Sequence, residues 1–140
     1  MGKKENIISM AFKSNLKYTE LSVLVLAFIK KILEMGDDDF FKVEISLREA
    51  INNAIVHGNE SNLNKLVHIE IVWEKSFLRM RVRDEGDHKV SFEQIEKKIN
   101  NCNLLSTNGR GIMIIKNYMD KFEFNCLGRG SEVVMEKKLS

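Results

Sequence analysis

A short polar face near position 50 could act on a phosphate ester. In LREAINNAIVHGN, residues 47–59, Glu49 and Asn53 are four positions apart and would share one face of an α-helix. A carboxylate can accept a proton from an attacking hydroxyl or water, and an amide oxygen can be one of the few protein ligands of Mg2+. The spacing therefore predicts a general base and a metal ligand. A solvated polar face, or a capping box of Ser46 and Glu49, would account for the same residues.

Two glycine motifs add a possible nucleotide site. Asp84 and Gly86 follow an alternating apolar run, where a carboxylate can accept a hydrogen bond from an exocyclic amine and glycine lets a planar ring approach the backbone. Adenine carries that amine where guanine carries an acceptor, so the motif favours ATP over GTP. Gly109-Arg110-Gly111 precedes a helical pattern, and bare backbone amides at a helix N-terminus suit phosphate. Each motif alone is also common in turns and at helix starts, where Arg110 would be only a surface charge.

The elements that must position these motifs follow from the apolar periodicity. An α+β fold is predicted: a two-layer sandwich in which a mixed, largely antiparallel sheet carries helices on one face. We expect one domain over residues 1–140 with a polar lid at about 87–110, because a long polar connection is typical of a lid or binding loop. The predicted strands are 5–13, 66–74, 77–86, 122–127 and 131–139, and the predicted helices are 16–35, 37–54 and 112–120.

The first two predicted helices carry different apolar patterns. The first has one apolar stripe, and Val23 and Leu26 lie off it, which leaves a second apolar surface for burial or for docking a protein. In the second, a stripe from Phe40 to Ala54 faces the core, and the preceding acidic residues 37–39 offer an N-cap and favourable charge. The stripe of the first helix consists of Leu21, Leu24, Val25, Phe28, Ile29 and Ile32.

The composition narrows the class of protein. A chain of 140 residues with 44% hydrophobic and 30% charged residues suits one compact domain. The formal net charge of +2 offers no dense basic stripe for nucleic acid, and the longest apolar run, residues 21–29, is far short of the roughly 20 residues that span a bilayer. The two cysteines form no metal-binding or disulfide pattern. We therefore expect a cytoplasmic protein without a direct nucleic-acid or membrane partner.

In their order along the chain, the motifs resemble those of the GHKL ATPase superfamily, which has the Bergerat-type ATP-binding fold. EAINNAIVHGN resembles its N-box, VRDEG its first glycine box, and NGRGIMIIKNYMD with GRGSEVVMEKKL its second glycine box and closing hairpin. Within the superfamily, the chain is most similar to the bacterial anti-sigma-factor serine/threonine kinases. The resemblance covers most of residues 5–138.

The resemblance implies a ligand and a role for each motif. The ligand would be ATP or ADP with Mg2+. Asn53 would hold the magnesium, Glu49 would be the general base, and Asp84 and Gly86 would contact the adenine. The residues lining the phosphates would be Gly109, Arg110 and Gly111, and the hydroxyl expected near the adenine would be that of Ser131.

The resemblance also implies a function and partners. The leading hypothesis is a serine/threonine protein kinase that phosphorylates a STAS-type anti-anti-sigma protein, sequesters a sigma factor and forms a homodimer. His88 stands where the family often has the second glycine of D-x-G-x-G, and could alter lid closure and rate. This departure keeps open a non-catalytic, nucleotide-gated regulatory binding protein. A histidine-kinase catalytic domain ranks lower, because no helix pair for dimerisation precedes the first strand.

Overall fold

The computed structural model describes residues 6–86 and 107–140. Within them, β1 is followed by a short 3-10 turn and two helices, then a hairpin, a third helix and a second hairpin, as the periodicity predicts. The strands are β1 (Asn6–Lys13), β2 (Leu66–Glu74), β3 (Phe77–Arg83), β4 (Lys121–Cys126) and β5 (Ser131–Lys138). The helices are α1 (Thr19–Leu33), α2 (Asp37–Asn53) and α3 (Thr107–Tyr118), with a 3-10 turn at Leu16–Tyr18 and a π-helical turn at Ala54–Gly58.

The strands form one five-stranded sheet in the order β1-β2-β3-β5-β4. Every pairing between the described strands is antiparallel. The helices cover one face of this sheet, because residues of all three helices share a core with one face of the strands. The predicted α+β sandwich is confirmed, and its largely antiparallel sheet is wholly antiparallel over the described residues.

Alternation along the strands separates the core from the outer face of the sheet. Fully buried side chains line the inner face, and charged side chains line the outer face. On the outer face, Arg81 lies 3.4 Å from both Glu70 and Glu132 on the flanking strands, which is the cross-strand pairing of opposite charges that favours a solvent-facing surface. The most buried core side chains include Leu26, Leu47, Ile51, Ile69, Ile71, Leu78, Met80, Ile115 and Met135.

The predicted orientation of α1 is wrong. The buried side of the helix carries Val23, Leu26 and Ile29, whereas most of the predicted stripe faces outwards. The physical reason is that α1 is apolar nearly all round, so periodicity alone does not select the buried face. Ser22 belongs to the buried face and its hydroxyl contacts Met10 Sδ on β1 at 3.5 Å. The exposed residues are Leu21, Leu24, Phe28 and Ile32, with exposed fractions of 50%, 66%, 64% and 54%.

The junction between α1 and α2 also differs from the prediction. Glu34, rather than Gly36, ends α1 in the left-handed conformation, with φ 52°. Gly36 is instead the N-cap of α2, and it has no side chain with which to bond the helix. The acidic residues 37–39 lie in the first turn of α2, where their charge favours the positive end of the helix dipole. Their predicted role as the N-cap is therefore wrong, and their predicted electrostatic role remains.

The core stripe of α2 is confirmed, and the capping-box alternative is excluded. Ser46 is buried in the middle of the helix, nine residues after the helix begins at Asp37. At the other end, α2 continues into the π-helical turn 54–58. Such turns are rare and concentrate at functional sites.

The third helix begins earlier than predicted. Residues 107–110 of the predicted lid are helical, and α3 ends at Tyr118. The Gly-x-Gly motif therefore lies within the first turns of a helix rather than before it. The rest of the predicted lid, with His88, lies outside the described residues. Among the residues described, no helix has the length and apolar character required to cross a membrane.

Candidate functional site

Asp84 is the centre of a hydrogen-bonded cluster where β3 ends and β5 begins. Its side chain is buried, with 7% exposure, and one carboxylate oxygen accepts hydrogen bonds from Gly86 N at 2.9 Å and Ser131 N at 3.2 Å. The other accepts a bond from the Ser131 hydroxyl at 2.7 Å. The backbone N–H of Asp84 also donates to Ser131 O at 3.0 Å. These contacts hold the carboxylate in one orientation, because hydrogen bonds to a charged acceptor are strong.

Three glycines from separate segments surround Asp84. A Cβ at Gly58 would collide with the Asp84 carboxylate, and a Cβ at Gly86 would collide with Gly58 O. Gly130 has φ 79°, and a Cβ there would collide with Asp84 O. The packing around Asp84 therefore requires glycine at all three positions, since the backbone segments approach too closely for any side chain. The sequence predicted a need for glycine only at Gly86, and there for the approach of a planar ring rather than for packing against Gly58.

Glu49 and Asn53 lie beneath the start of α3. A Cβ at Gly111 would come within 2.6 Å of Glu49 Oε2 and 3.4 Å of Asn53 Nδ2, so the backbone of α3 covers both side chains. Glu49 and Asn53 are half-buried, so the face they share is partly covered rather than fully solvated. Burial raises the pKa of the Glu49 carboxyl above its usual range, because desolvation disfavours the charged form.

Asn53 is the unusual member of this pair. Both polar atoms of its side chain, Oδ1 and Nδ2, are buried and have no hydrogen-bond partner among the described residues. Leaving buried polar atoms unpaired costs free energy. An amide kept in this state fits a site that receives its partner from a ligand.

The π-helical turn joins the two clusters. Asn53 immediately precedes this turn, and Gly58 at its end contacts Asp84. The structure thus brings six of the residues predicted from the sequence into two groups, which the π-helical turn connects. The first group is Glu49, Asn53 and Gly111, and the second is Asp84, Gly86 and Ser131.

The other two predicted phosphate-lining residues are Gly109 and Arg110. Both lie at the start of α3, and Arg110 is exposed. Gly130 was missed as a site residue, although its place directly before Ser131 in the turn of a hairpin was a usable signal. Among the described residues, no group of three or more His, Cys, Asp or Glu side chains could hold a metal ion by itself.

The sequence model of the histidine kinase-like ATPase domain family matches residues 13–137 of this chain. The chain belongs to this family. Its relatives include anti-sigma F factors of Bacillus cereus and Bacillus thuringiensis, each 29% identical over 122 residues that cover 81% of this chain and 83% of the relative. The predicted resemblance to GHKL ATPases and anti-sigma factors is confirmed, and membership implies that this histidine kinase-like ATPase domain binds ATP or ADP.

Two solved structures share the fold of this ATPase domain. One contains the RsbU and RsbW domains of a Mycobacterium tuberculosis protein, with a TM-score of 0.69 and 10% identity over 96% of this chain and 32% of that one. The other is the catalytic domain of the histidine kinase ThkA, with a TM-score of 0.58 and 18% identity over 97% of this chain and 96% of that one. At these identities, the likeness establishes the fold alone.

Proposed function

We propose that this protein is an ATP-dependent serine/threonine kinase of the anti-sigma type. It phosphorylates a STAS-type anti-anti-sigma protein and sequesters a sigma factor in the bacterial cytoplasm. The anti-sigma F factors among its relatives support this class of function. The observation that carries the proposal is the half-buried Glu49 carboxylate beside Asn53, whose buried amide atoms have no hydrogen-bond partner among the described residues, because it places a proton acceptor next to an amide that can accept a ligand.

The cluster around Asp84 is the adenine end of the proposed site. In this proposal the Asp84 carboxylate accepts a hydrogen bond from the exocyclic amine of adenine, and the side-chain-free backbone of Gly86 borders the ring. The Ser131 hydroxyl already donates to Asp84 at 2.7 Å and fixes the direction of its remaining lone pairs. Guanine would place a hydrogen-bond acceptor against the Asp84 carboxylate, which is itself an acceptor, and this disfavours guanine nucleotides.

Magnesium fits the other end of the site. Among the described residues, nothing pairs with the buried Asn53 amide oxygen, which is a ligand of the hard type that Mg2+ prefers, and Mg2+ often takes only one or two protein ligands when phosphates supply others. Asn53 would hold the ion, which supplies charge neutralisation for the phosphates when bound. The phosphates would lie against the start of α3, at Gly109, Arg110 and Gly111, where a helix N-terminus favours anions.

Glu49 is the proposed general base. Its raised pKa brings the carboxylate closer to the basicity that proton transfer near neutral pH requires. In the transfer to a partner, Glu49 accepts the proton of the attacking serine or threonine hydroxyl while positioning provides most of the remaining rate enhancement.

A homodimer is the assembly we propose. The exposed apolar face of α1, formed by Leu21, Leu24, Phe28 and Ile32, approaches the edge strand β1 at one end, where Ile32 and Asn6 line the same surface cavity. An apolar helix face beside an unpaired strand edge can meet its own copy about a twofold axis, which buries the side chains and pairs the edge at the same time. A Phe28→Glu, Leu24→Glu double variant should sediment as a monomer, and an unchanged sedimentation coefficient would exclude this surface.

The kinase proposal is tested by capture and transfer together. Tagged protein is incubated with extracts of its native cells in MgATP or MgADP, and the captured proteins and their phosphosites are identified by mass spectrometry. Capture of a sigma factor, and phosphorylation of a small STAS-type partner on serine or threonine in MgATP only, is the expected result. Phosphohistidine on a captured partner would instead support a histidine kinase.

A non-catalytic, nucleotide-gated binding protein is the second candidate. His88 favours it, because this residue stands where the family often has the second glycine of D-x-G-x-G, and a bulkier residue there affects the rate of transfer more than it affects binding. In this case the same experiment captures a regulator in a nucleotide-dependent manner, and purified regulator remains unphosphorylated in MgATP.

A further inference from the structure

Asn59 lies outside both clusters of the site and is one of the most buried polar residues of the chain. Its exposure is 0%. The amide oxygen accepts a hydrogen bond from Glu85 N at 2.7 Å, and the amide nitrogen donates to Ser14 Oγ at 2.8 Å and to Leu66 O at 3.0 Å. One side chain therefore connects the end of α2, the segment after β1, the start of β2 and the loop after β3.

The Glu85 side chain is held at the same junction. Its carboxylate accepts hydrogen bonds from Leu66 N at 2.9 Å and from His68 Nε2 at 2.7 Å. The bond from Leu66 N, followed by that from His68, lowers the pKa of Glu85. Glu85 is thus held through both its backbone and its side chain. Its neighbours Asp84 and Gly86 belong to the cluster around Asp84.

Asn59 also restrains the turn that carries the other half of the site. Its backbone N–H donates to Ala54 O at 2.8 Å, which closes the π-helical turn 54–58. Asn53 begins this turn and Gly58 ends it against Asp84. Asn59 therefore makes one contact with each of the two segments whose relative placement defines the site.

We infer that Asn59 is a positioning residue for base recognition, holding the Asp84-Glu85-Gly86 loop through the Glu85 N–H so that the Asp84 carboxylate meets adenine. It contacts no nucleotide itself. The inference rests on the proposed adenine pocket. Because the amide nitrogen and the amide oxygen contact different segments, stability and base recognition can be separated by substitution.

The test measures the affinities of ADP and GDP with magnesium by isothermal titration calorimetry, together with the melting temperature. Asn59→Ser removes the amide oxygen that accepts from Glu85 N together with the amide nitrogen that donates to Ser14 and Leu66, and Ser14→Ala and Asn59→Asp separate these two losses. We expect the ADP affinity of Asn59→Ser to fall by about tenfold, the effect of losing one well-placed hydrogen bond, and its preference for ADP over GDP to shrink. A purely structural role would lower the melting temperature and leave the preference of the folded protein unchanged.

Ser14→Ala is the matched control. It removes the hydroxyl that accepts from the Asn59 amide nitrogen and donates to Lys65 O, so it disturbs the same buried network on the side away from Glu85. It should lower the melting temperature and keep the preference for ADP over GDP within about twofold of the wild type. Asn59→Asp retains an acceptor for the Glu85 N–H, and should preserve that preference even where stability falls.

Two results would overturn the inference. One is an Asn59→Ser protein with the ADP affinity and base preference of the wild type. The other, decisive if Asn59→Ser does not fold, is a folded Asn59→Asp protein that no longer distinguishes ADP from GDP. Wild-type protein that binds neither nucleotide would refute the nucleotide site itself, which distinguishes failure of the proposed function from failure of this inference.

Discussion

The two ends of the site differ in how completely the protein satisfies its own polar groups. At the proposed adenine end, Asp84 accepts three hydrogen bonds from Gly86 and Ser131, and three glycines let backbone pack closely around it. At the proposed phosphate end, Asn53 has no hydrogen-bond partner for either polar atom among the described residues, and burial raises the pKa of Glu49. One end is pre-organised, and the other carries unsatisfied groups.

This difference matches what each end has to do. Recognition of a flat base needs a fixed acceptor, and pre-organisation lowers the entropic cost of binding. Transfer of phosphate needs groups that are satisfied only when metal and phosphate are present, and such sites reduce stability in exchange for activity. The phosphate end should therefore control rate and the adenine end should control which nucleotide binds.

The largest effect is expected from Glu49→Gln. The substitution keeps the size of the side chain and removes the proton acceptor, so phosphoryl transfer to the captured partner should fall by about 10²- to 10⁴-fold. ATP binding should persist. The rate is measured with the purified partner and radiolabelled ATP, and transfer at the wild-type rate would remove Glu49 as the base.

The pH dependence follows from the same group. Glu49 must be deprotonated to act as a base, so the rate should fall on acidification at a pH above the ordinary glutamate value of 4.5. Because the pKa of Glu49 is raised in the folded state, the folded protein keeps this proton to a higher pH than the unfolded chain does. The contribution of Glu49 to the free energy of unfolding therefore declines as pH rises through its folded pKa. Glu49→Gln should abolish that decline.

The second largest effect is expected at Gly130. Alanine there would have a strained φ and would collide with Asp84 O, so Gly130→Ala should lose about 2–4 kcal/mol of stability and most of its ADP binding. Gly128→Ala is the matched control in the same turn, because a Cβ at Gly128 meets nothing within 4 Å. Thermal denaturation and calorimetry of both variants provide the comparison. Equal behaviour of the two would contradict the close packing around Asp84.

A smaller effect is expected from Asp84→Asn. An amide oxygen is a weaker acceptor than a carboxylate, so ADP affinity should fall by about tenfold, or 1.4 kcal/mol. The amide can also donate to guanine, so the preference for ADP over GDP should narrow. Calorimetry with both nucleotides measures this, and an unchanged ratio of affinities would place base recognition elsewhere.

The smallest effect is the most specific to the phosphate end. Asn53→Ala removes two unsatisfied buried atoms and introduces a better helix former, so stability without nucleotide should rise by about 1 kcal/mol. The added stability conferred by MgADP should be largely lost. Asn52→Ala, one position earlier on the same helix, reports the helix-propensity part alone. A less stable Asn53→Ala protein that keeps its response to MgADP would show that Asn53 is structural.

The sequence predicts the elements, because they depend on local signals: the stripe of α2 and the two hairpins can be read from spacing and turn residues. The roles of Glu49, Asn53 and Asp84 instead rest on the order of the motifs and their resemblance to the GHKL ATPases, because each spacing alone is also common in turns and on solvated helices. The buried face of α1 cannot be read from the sequence, since Leu24 and Leu26 are equally apolar, and only tertiary packing buries Leu26 in the core while Leu24 stays 66% exposed.

The contacts of Asn59 were also beyond the sequence. The side-chain amide of Asn59 forms hydrogen bonds with Ser14, which is 45 residues away, and with Glu85, which is 26 residues away. No local pattern indicates such partners. The start of α3 was misplaced for a different reason. Glycine disfavours helix interiors, yet Gly111 is helical because the absence of a side chain lets α3 approach Glu49.

The most direct test of the account is the thermal stabilisation of the wild-type protein by ADP and by GDP, each with and without magnesium. The account predicts that MgADP at about 100 times its dissociation constant stabilises the fold by roughly 2.7 kcal/mol, with a smaller effect without magnesium and much smaller effects of GDP. Equal stabilisation by ADP and GDP, or an ADP effect that is independent of magnesium, would contradict the assignment of one end of the site to adenine and the other to metal-bound phosphate.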